Sequence, residues 1–142
     1  MDSSSIVKLY VDEEHTEETR EMAQVADRLA STAIAFVEVK AAFARRHRER
    51  RIRTRNQYQR INDDFEAQWQ AFLVHPVNDA ILRHAGALVV ANPLSGYDAV
   101  HLASTIAVQA RTPEEVRLST WDLQLGRAAR AEGLSLAHEV AV

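Results

Sequence analysis

The chain has 142 residues, a net charge of −3 at neutral pH, 46% hydrophobic residues and 26% charged residues, which is the composition of one globular domain with a core. It contains no cysteine, which excludes disulfides and thiolate metal sites and fits a reducing, cytoplasmic location. No apolar run approaches the ~20 residues of a membrane span, and no glycine-rich phosphate loop is present, which argues against nucleoside triphosphate chemistry.

The spacing of apolar residues predicts short strands that alternate with helices. Strands are expected at residues 29–33, 71–75, 116–120 and 134–137. Helices are expected at residues 3–11, 16–28, 36–50, 54–70 and 123–132, behind a cap at Asn78, and from Ser95 onward. Because the two element types alternate, residues 1–142 are expected to form one α/β domain with a mainly parallel sheet, which would have roughly five strands in a full-length version.

The same periodicity predicts which side chains face the core. The residues expected inside are Ile6, Leu9, Tyr10, Met22, Val25, Ala26, Leu29, Tyr58, Ile61, Phe65, Trp69, Phe72, Ile81, Leu82, Ala85, Leu88 and Val89. The aromatic stripe between residues 58 and 72 is most simply explained by core packing.

The segment that begins at Ser95 predicts a buried helix with an acid at its start. Ser95 and Asp98 have the spacing of a capping box, and Gly96 lies in the break before the helix. The residues that follow, from Val100 to Val108, are almost wholly apolar, so the helix belongs in the interior. Asp98 is therefore either a helix cap or a functional carboxylate on a rigid element.

Three further acids occupy comparable places in this scheme. Asp2 precedes the first helix, Glu38 lies in the first two turns of a helix that follows a strand, and Asp122 follows a strand directly. In open α/β sheets functional groups gather at the carboxyl ends of the strands, so Asp2, Glu38, Asp98 and Asp122 are expected to share one acidic pocket. Converging carboxylates repel one another unless a hard cation such as Mg²⁺ or Mn²⁺ binds between them. Such a cation can activate a water and stabilise the charge of a displacement at phosphorus, so the pocket predicts hydrolysis of a phosphodiester.

Four segments, taken together, resemble the motifs of PIN-domain proteins of the VapC toxin type. They are residues 2–10 (DSSSIVKLY), 34–39 (IAFVEV), 97–103 (YDAVHLA) and 119–125 (STWDLQL), in family order and at family spacing. The resemblance covers essentially the whole chain. It implies a three-layer α/β/α fold and a Mg²⁺- or Mn²⁺-dependent endoribonuclease that is the toxin of a toxin–antitoxin pair, forms a homodimer and is inhibited by a small antitoxin protein.

Carried over residue by residue, the resemblance gives each motif residue a role. The catalytic and metal-binding acids are Asp2, Glu38, Asp98 and Asp122, and the hydroxyl groups that support them are Ser4 and Thr120. Asp98 and Asp122 either ligate the metal or hold a water. Family members carry an apolar strand before the first acid, whereas only Met1 precedes Asp2 here. The central first strand is therefore expected to be truncated in this sequence: either the real start lies upstream, or the sheet lacks this strand. The first alternative is favoured here, so an apolar strand that runs into Asp2 is expected in the native protein.

Several residues near the acids allow two interpretations. His101 lies one turn after Asp98 and either reaches the acidic cluster or, as favoured here, packs against the sheet or bonds a backbone carbonyl. Tyr97 and Trp121 flank acids and either stack on RNA bases or pack in the protein. The other five histidines show no pair at metal-ligand spacing.

The strongest charge feature is a run of seven arginines with one glutamate between residues 45 and 55, in a chain that is otherwise acidic. The arginines are Arg45, Arg46, Arg48, Arg50, Arg51, Arg53 and Arg55. They are expected either to form a solvated helix end or to bind RNA phosphates or an acidic segment of an antitoxin.

Two other functional classes stay open at this point. One is a catalytically silent module that binds RNA or a partner protein through the arginine run. The other is a metal-dependent DNA nuclease or phosphatase, which shares the expected acidic site but acts on a different phosphate ester.

Overall fold

A computed structural model describes residues 1–138 of the chain. In this range the chain forms seven helices and four short strands. The helices are α1 (Ser3–Lys8), α2 (Thr16–Val25), α3 (Ile34–Arg48), α4 (Arg55–Trp69), α5 (Asp79–Ala91), α6 (Gly96–Gln109) and α7 (Leu123–Ala131), and the strands are β1 (Ala30–Thr32), β2 (Leu73–His75), β3 (Arg117–Leu118) and β4 (Ser135–Leu136). No helix among these residues is long and apolar enough to cross a bilayer.

Polar side chains fix where most of these helices begin. A side-chain oxygen accepts a hydrogen bond from a first-turn amide at five helix starts, as expected of N-caps. The caps are Asp2 for α1, Thr54 for α4, Asn78 for α5, Ser95 for α6 and Asp122 for α7. The starts predicted at Asn78 and Ser95 are therefore confirmed, and two of the four acids of interest are helix caps.

All strand pairs are parallel, which confirms the predicted α/β class. β1 pairs with β2 and β3 pairs with β4, so the strands form two separate pairs. Met1 and Asp2 lie between β1 and β3: the Met1 amino group donates to the Ala30 carbonyl at 2.7 Å, and the Asp2 amide donates to the Ser119 carbonyl at 3.0 Å. The first acid therefore lies at the junction of the two pairs, where the truncated central strand was expected.

The helices pack into two core clusters. One cluster joins α5, α6 and α7 through residues such as Leu88, Leu102 and Leu125, with Leu118 of β3. The other joins α1, α3 and α4 through residues such as Ile6, Phe43 and Phe65. The aromatic residues of α4 belong to this second cluster, as the periodicity predicted. Both clusters hold the functional segments at their edges, because α1, α3, α6 and α7 each carry or follow one of the four acids.

Some predicted core positions are wrong. Val25 is 82% exposed and Ala26 is also exposed, because α2 ends at Val25 instead of continuing to residue 28 and the chain turns extended at Ala26. Leu82 and Val89 are 53% and 38% exposed. In α5 the buried stripe is narrower than predicted and consists of Ile81, Ala85 and Leu88.

Candidate acidic site

Asp2 is the most strongly held of the four acids. It is only 3% exposed, and its carboxylate accepts hydrogen bonds from three groups. The Ser4 hydroxyl lies 2.8 and 3.0 Å from its two oxygens, the Ser5 amide lies 2.9 Å away, and the Thr120 hydroxyl lies 2.6 Å away. The two hydroxyl groups that sequence analysis named as supporting residues, Ser4 and Thr120, thus bond directly to Asp2.

The loop after β3 brings Asp122 beside Asp2. The Thr120 hydroxyl that donates to Asp2 also accepts a hydrogen bond from the Asp122 amide at 3.1 Å. The Asp122 carboxylate caps α7 by accepting from the Leu125 amide at 2.8 Å. A second link joins the same segments, since the Trp121 amide donates to the Ser4 hydroxyl at 3.2 Å. Asp2 and Asp122 therefore belong to one hydrogen-bonded network.

Asp98 shares an electrostatic environment with these two acids. Burial raises its pKa above the ordinary value, and the negative charges of Asp122 and Asp2 raise it further. A hydrogen bond from Ser95 and the interaction with His101 act in the opposite direction. The Ser95 hydroxyl donates to the Asp98 carboxylate at 2.6 Å and accepts from the Asp98 amide at 3.2 Å, which is the predicted capping arrangement. Asp98 therefore bonds to the cap residue of α6 and also shares an electrostatic environment with Asp122 and Asp2.

Glu38 is connected to this group through a histidine. His101 is 3% exposed, and its Nε2 atom lies 2.7 Å from the Glu38 Oε1 atom. The favoured expectation is that His101 packs against the sheet or bonds a backbone carbonyl, and it is wrong about the partner. His101 lies on α6 one turn beyond Asp98, and its ring bonds Glu38 in the second turn of α3. The spacing of Asp98 and His101 was the only signal of this pairing in the sequence.

The donor set fits a hard divalent cation. All four groups are carboxylates, the ligand type that Mg²⁺ and Mn²⁺ prefer. A carboxylate has about four acceptor positions, so the three donors on Asp2 leave room for a ligand bond. Within residues 1–138 no three His, Asp or Glu side chains are close enough together to hold an ion. The convergence of the four acids on one ion therefore stays a prediction.

The two aromatic residues beside the acids have opposite environments. Tyr97 is 60% exposed, so its ring is accessible from solvent. Trp121 is stacked between the imidazole rings of His15 and His138, with ring centroids 3.9 and 3.8 Å apart and the planes nearly parallel. Packing is thus the correct interpretation for Trp121. Sequence reasoning missed this stack, since residues so distant along the chain give no spacing signal.

The arginine run divides into one partly buried member, Arg46, and six exposed members. Arg46 donates through Nε and Nη2 to the Glu13 carboxylate at 2.9 and 3.1 Å, and Lys8 donates to the same carboxylate at 3.0 Å. Burial alone would raise the pKa of Glu13, but its hydrogen bonds and charge interactions with Arg46 and Lys8 outweigh burial and lower it. The other members are exposed and make no ion pair within the described part of the chain: Arg45, Arg48, Arg50, Arg51, Arg53 and Arg55.

Comparison with known proteins places the chain in a family. Residues 1–130 match the family model described as PIN domain. Two curated proteins of Mycobacterium tuberculosis, named Ribonuclease VapC45 (strain CDC 1551 / Oshkosh) and Ribonuclease VapC49 (strain ATCC 25618 / H37Rv), are each 33% identical to it over 136 residues, which is 96% of this chain and 92% of each relative. With its four motifs in order and an α/β fold of parallel strands, this chain belongs to the PIN-domain family and is of the VapC type.

Proposed function

We propose that the protein is a Mg²⁺- or Mn²⁺-dependent endoribonuclease and the toxin of a toxin–antitoxin pair, acting in the cytoplasm. Its family and its similarity to two proteins named ribonucleases support the activity. The observation that carries the proposal is the hydrogen-bonded network through Thr120 that holds Asp2 and Asp122 in one region, where the negative charges of both also act on Asp98. A cluster of negative charge at such a place favours the binding of a divalent cation.

In this proposal each acid has a stated task. Asp2, Glu38, Asp98 and Asp122 hold the cation, the last two directly or through water. When bound, the cation supplies a Lewis acid that promotes hydrolysis of the phosphodiester. Hydrogen bonds from Ser4, Ser5 and Thr120 orient the Asp2 carboxylate. His101 orients Glu38 in the same way, which is the usual arrangement for groups that position metal ligands.

The exposed arginines supply a surface for the RNA backbone. The six exposed guanidinium groups lie at the end of α3, in the loop that follows and at the start of α4. Contacts between arginines and phosphates release counterions, so this part of the affinity falls as salt concentration rises. Arg46 is left out of this surface, since Glu13 already binds its guanidinium group.

Two protein partners complete the proposal. A small antitoxin protein binds and inhibits the enzyme, and a second copy of the chain forms a homodimer. The outer face of α5 supports the second of these, because Leu82, Val89 and Val90 are 53%, 38% and 87% exposed on a helix whose opposite face is in the core. Exposed apolar surface of this kind is typical of protein interfaces.

A cleavage assay with a matched control tests the activity. Purified protein is incubated with a mixed pool of cellular RNA and Mg²⁺ or Mn²⁺, and Asp98→Asn is compared with Asp79→Asn. Asp79 also lies in the first turn of a helix, but its side chain is 78% exposed and pairs with Arg83. We expect Asp98→Asn to lower the cleavage rate about 100-fold or more and Asp79→Asn to leave it unchanged. Equal cleavage by wild type and Asp98→Asn would mean that a contaminating nuclease is responsible.

The alternative is a catalytically silent module that binds RNA or a partner protein. It is favoured by one observation, namely that no three acidic or histidine side chains converge within residues 1–138. Calorimetric titration with Mn²⁺ separates the two functions. A nuclease binds Mn²⁺ in a manner that depends on Asp98, whereas a silent module binds RNA without any such Mn²⁺ site.

A further inference from the structure

Trp121 lies at a point where three segments of the chain meet. Its ring is between His15, which directly precedes α2, and His138, which follows β4. Its Nε1 atom donates to the Thr19 hydroxyl of α2 at 2.8 Å. The side chain is therefore held on both faces and at its polar edge, and its orientation is fixed more completely than packing alone requires.

The two imidazole rings are themselves anchored. His15 lies in a left-handed backbone conformation with φ of 65°, and the Glu14 and Glu18 carboxylates are 3.4 and 3.5 Å from its ring nitrogens. His138 Nε2 lies 2.7 Å from the Thr120 carbonyl oxygen. Since a carbonyl oxygen only accepts, Nε2 carries the hydrogen, and the buried Nδ1 atom has no hydrogen-bond partner among residues 1–138.

The residues on either side of Trp121 connect the stack to the acidic site. Thr120 donates from its hydroxyl to Asp2 and accepts through its carbonyl from His138, so it is bound from both directions. The Trp121 amide donates to the Ser4 hydroxyl, which donates in turn to Asp2. Any change in the position of Trp121 thus moves two of the three groups that hold the Asp2 carboxylate.

We propose that Trp121, clamped between His15 and His138, is a positioning residue that fixes the loop of Thr120 and Asp122 and, through it, the Asp2 carboxylate. The inference rests on the proposed function only in assuming that the Asp2 carboxylate, once fixed, holds the divalent cation. It assigns to α2 and to the end of β4 a part in the site, although neither element carries one of the four acids. It also explains why a large aromatic residue beside the acids is not available for stacking on RNA bases.

Three variants test the inference in the metal-free protein. Trp121→Leu removes the stack and the hydrogen bond to Thr19, and Trp121→Phe keeps a flat ring between the imidazoles. Trp69→Leu is the matched control, because Trp69 is also a half-buried tryptophan but belongs to the aromatic cluster with Phe65 and Phe72. The readout is hydrogen exchange of the backbone amides of Ser5, Asp122 and Leu125, which donate within the site.

We expect these three amides to exchange about tenfold faster, or more, in Trp121→Leu, relative to the amides of α4. In the wild type, local opening of the site loop has to break the ring stack. The variant has no stack to break, so opening costs less free energy. Trp121→Phe should restore most of the protection. Trp69→Leu should leave the ratio unchanged even where it lowers overall stability. Protection of the three amides in Trp121→Leu equal to that in wild type would overturn the inference, and so would an equal loss in Trp69→Leu.

Titration with Mn²⁺ keeps this inference separate from the proposed function. If the wild type binds Mn²⁺ in a manner that depends on Asp98, we expect Trp121→Leu to bind it about tenfold more weakly, whereas Trp69→Leu binds it as the wild type does. Failure of the wild type to bind Mn²⁺ would contradict the proposed function, and the amide exchange of the metal-free proteins would still decide on the role of Trp121. Unchanged Mn²⁺ affinity in Trp121→Leu would overturn that role.

Discussion

The four acids differ in how the protein holds them, and this difference decides what each substitution does. Asp2 has three hydrogen-bond donors, Glu38 is bound by His101, and Asp122 is committed to capping α7. Asp98 bonds to Ser95, the cap of α6, while burial and then the repulsion of Asp122 and Asp2 raise its pKa. It is therefore the acid whose charge opposes folding most directly.

Asp98→Asn should make the metal-free protein more stable. The pKa of Asp98 is raised in the folded state, so the folded protein binds the proton more tightly than the unfolded chain. Stability is consequently lost as pH rises from the ordinary value of 3.8 through the raised folded pKa. We therefore expect the unfolding temperature of Asp98→Asn, measured in a chelator, to rise relative to that of the wild type as pH increases through this range.

Once a divalent cation is added, we expect the wild type to be more stable than Asp98→Asn. A ligand that binds only the folded state stabilises it in proportion to its concentration relative to Kd. Mn²⁺ should therefore raise the unfolding temperature of wild type and leave that of Asp98→Asn unchanged. A variant that is less stable than wild type in the chelator at neutral pH would show that burial and repulsion of the charge are not the dominant effects at this residue.

At the scale of elements, a buried ionic cluster joins α1 and α3 to the segment before α2. Lys8 and Arg46 both bind Glu13, and the three side chains are 10%, 15% and 15% exposed. Removing one partner from such a cluster leaves charge without compensation, which costs about 3 kcal/mol. Arg46 thus stabilises the fold, whereas the exposed arginines near it in the sequence are accessible to other molecules.

Arg46→Ala should lower the free energy of unfolding by about 3 kcal/mol at neutral pH, whereas the exposed Arg48→Ala should change it little. The pKa of Glu13 is lowered in the folded state, so the stability that this carboxylate contributes is present above its ordinary value of 4.5 and is lost as pH falls through the folded pKa. The difference in the free energy of unfolding between wild type and Arg46→Ala should therefore become smaller in acid. Denaturant unfolding of both proteins across this pH range measures that difference.

Binding of RNA gives the complementary readout. Arg48→Ala should weaken RNA binding and reduce its dependence on salt, because one phosphate contact is lost. For Arg46→Ala the salt dependence should match that of the wild type. If Arg48→Ala and Arg46→Ala changed the salt dependence equally, the division of the arginine run into a structural and an exposed part would be wrong.

At the scale of the whole molecule, periodicity and caps predicted most of the fold. All four strand positions are confirmed, and Asn78 and Ser95 cap helices as their sequence context indicates. Val25 is exposed because α2 ends there, and Leu82 is exposed because an apolar residue at the edge of a stripe is buried only where a neighbouring element covers it. A single sequence does not reveal that neighbour.

The site was less accessible to prediction than the fold. Its hydroxyl groups, Ser4 and Thr120, were identified through the family resemblance, and both bond to Asp2. The pairing of His101 with Glu38 and the ring stack on Trp121 depend on residues far apart in the chain, whose proximity arises only when the elements pack. Apart from the one-turn spacing of Asp98 and His101, these contacts leave no periodic or spacing signal in the sequence.

The most direct test of the account is to locate Mn²⁺ in crystals of the wild-type protein by its anomalous scattering. We predict a Mn²⁺ ion enclosed by Asp2, Glu38 and Asp98, with ligand distances near the ~2.1 Å of bound Mg²⁺, and with Asp122 bound directly or through a water. A protein that cleaves RNA in the presence of Mn²⁺ yet binds the ion elsewhere, or binds it without Glu38 or Asp98, would contradict the proposed site.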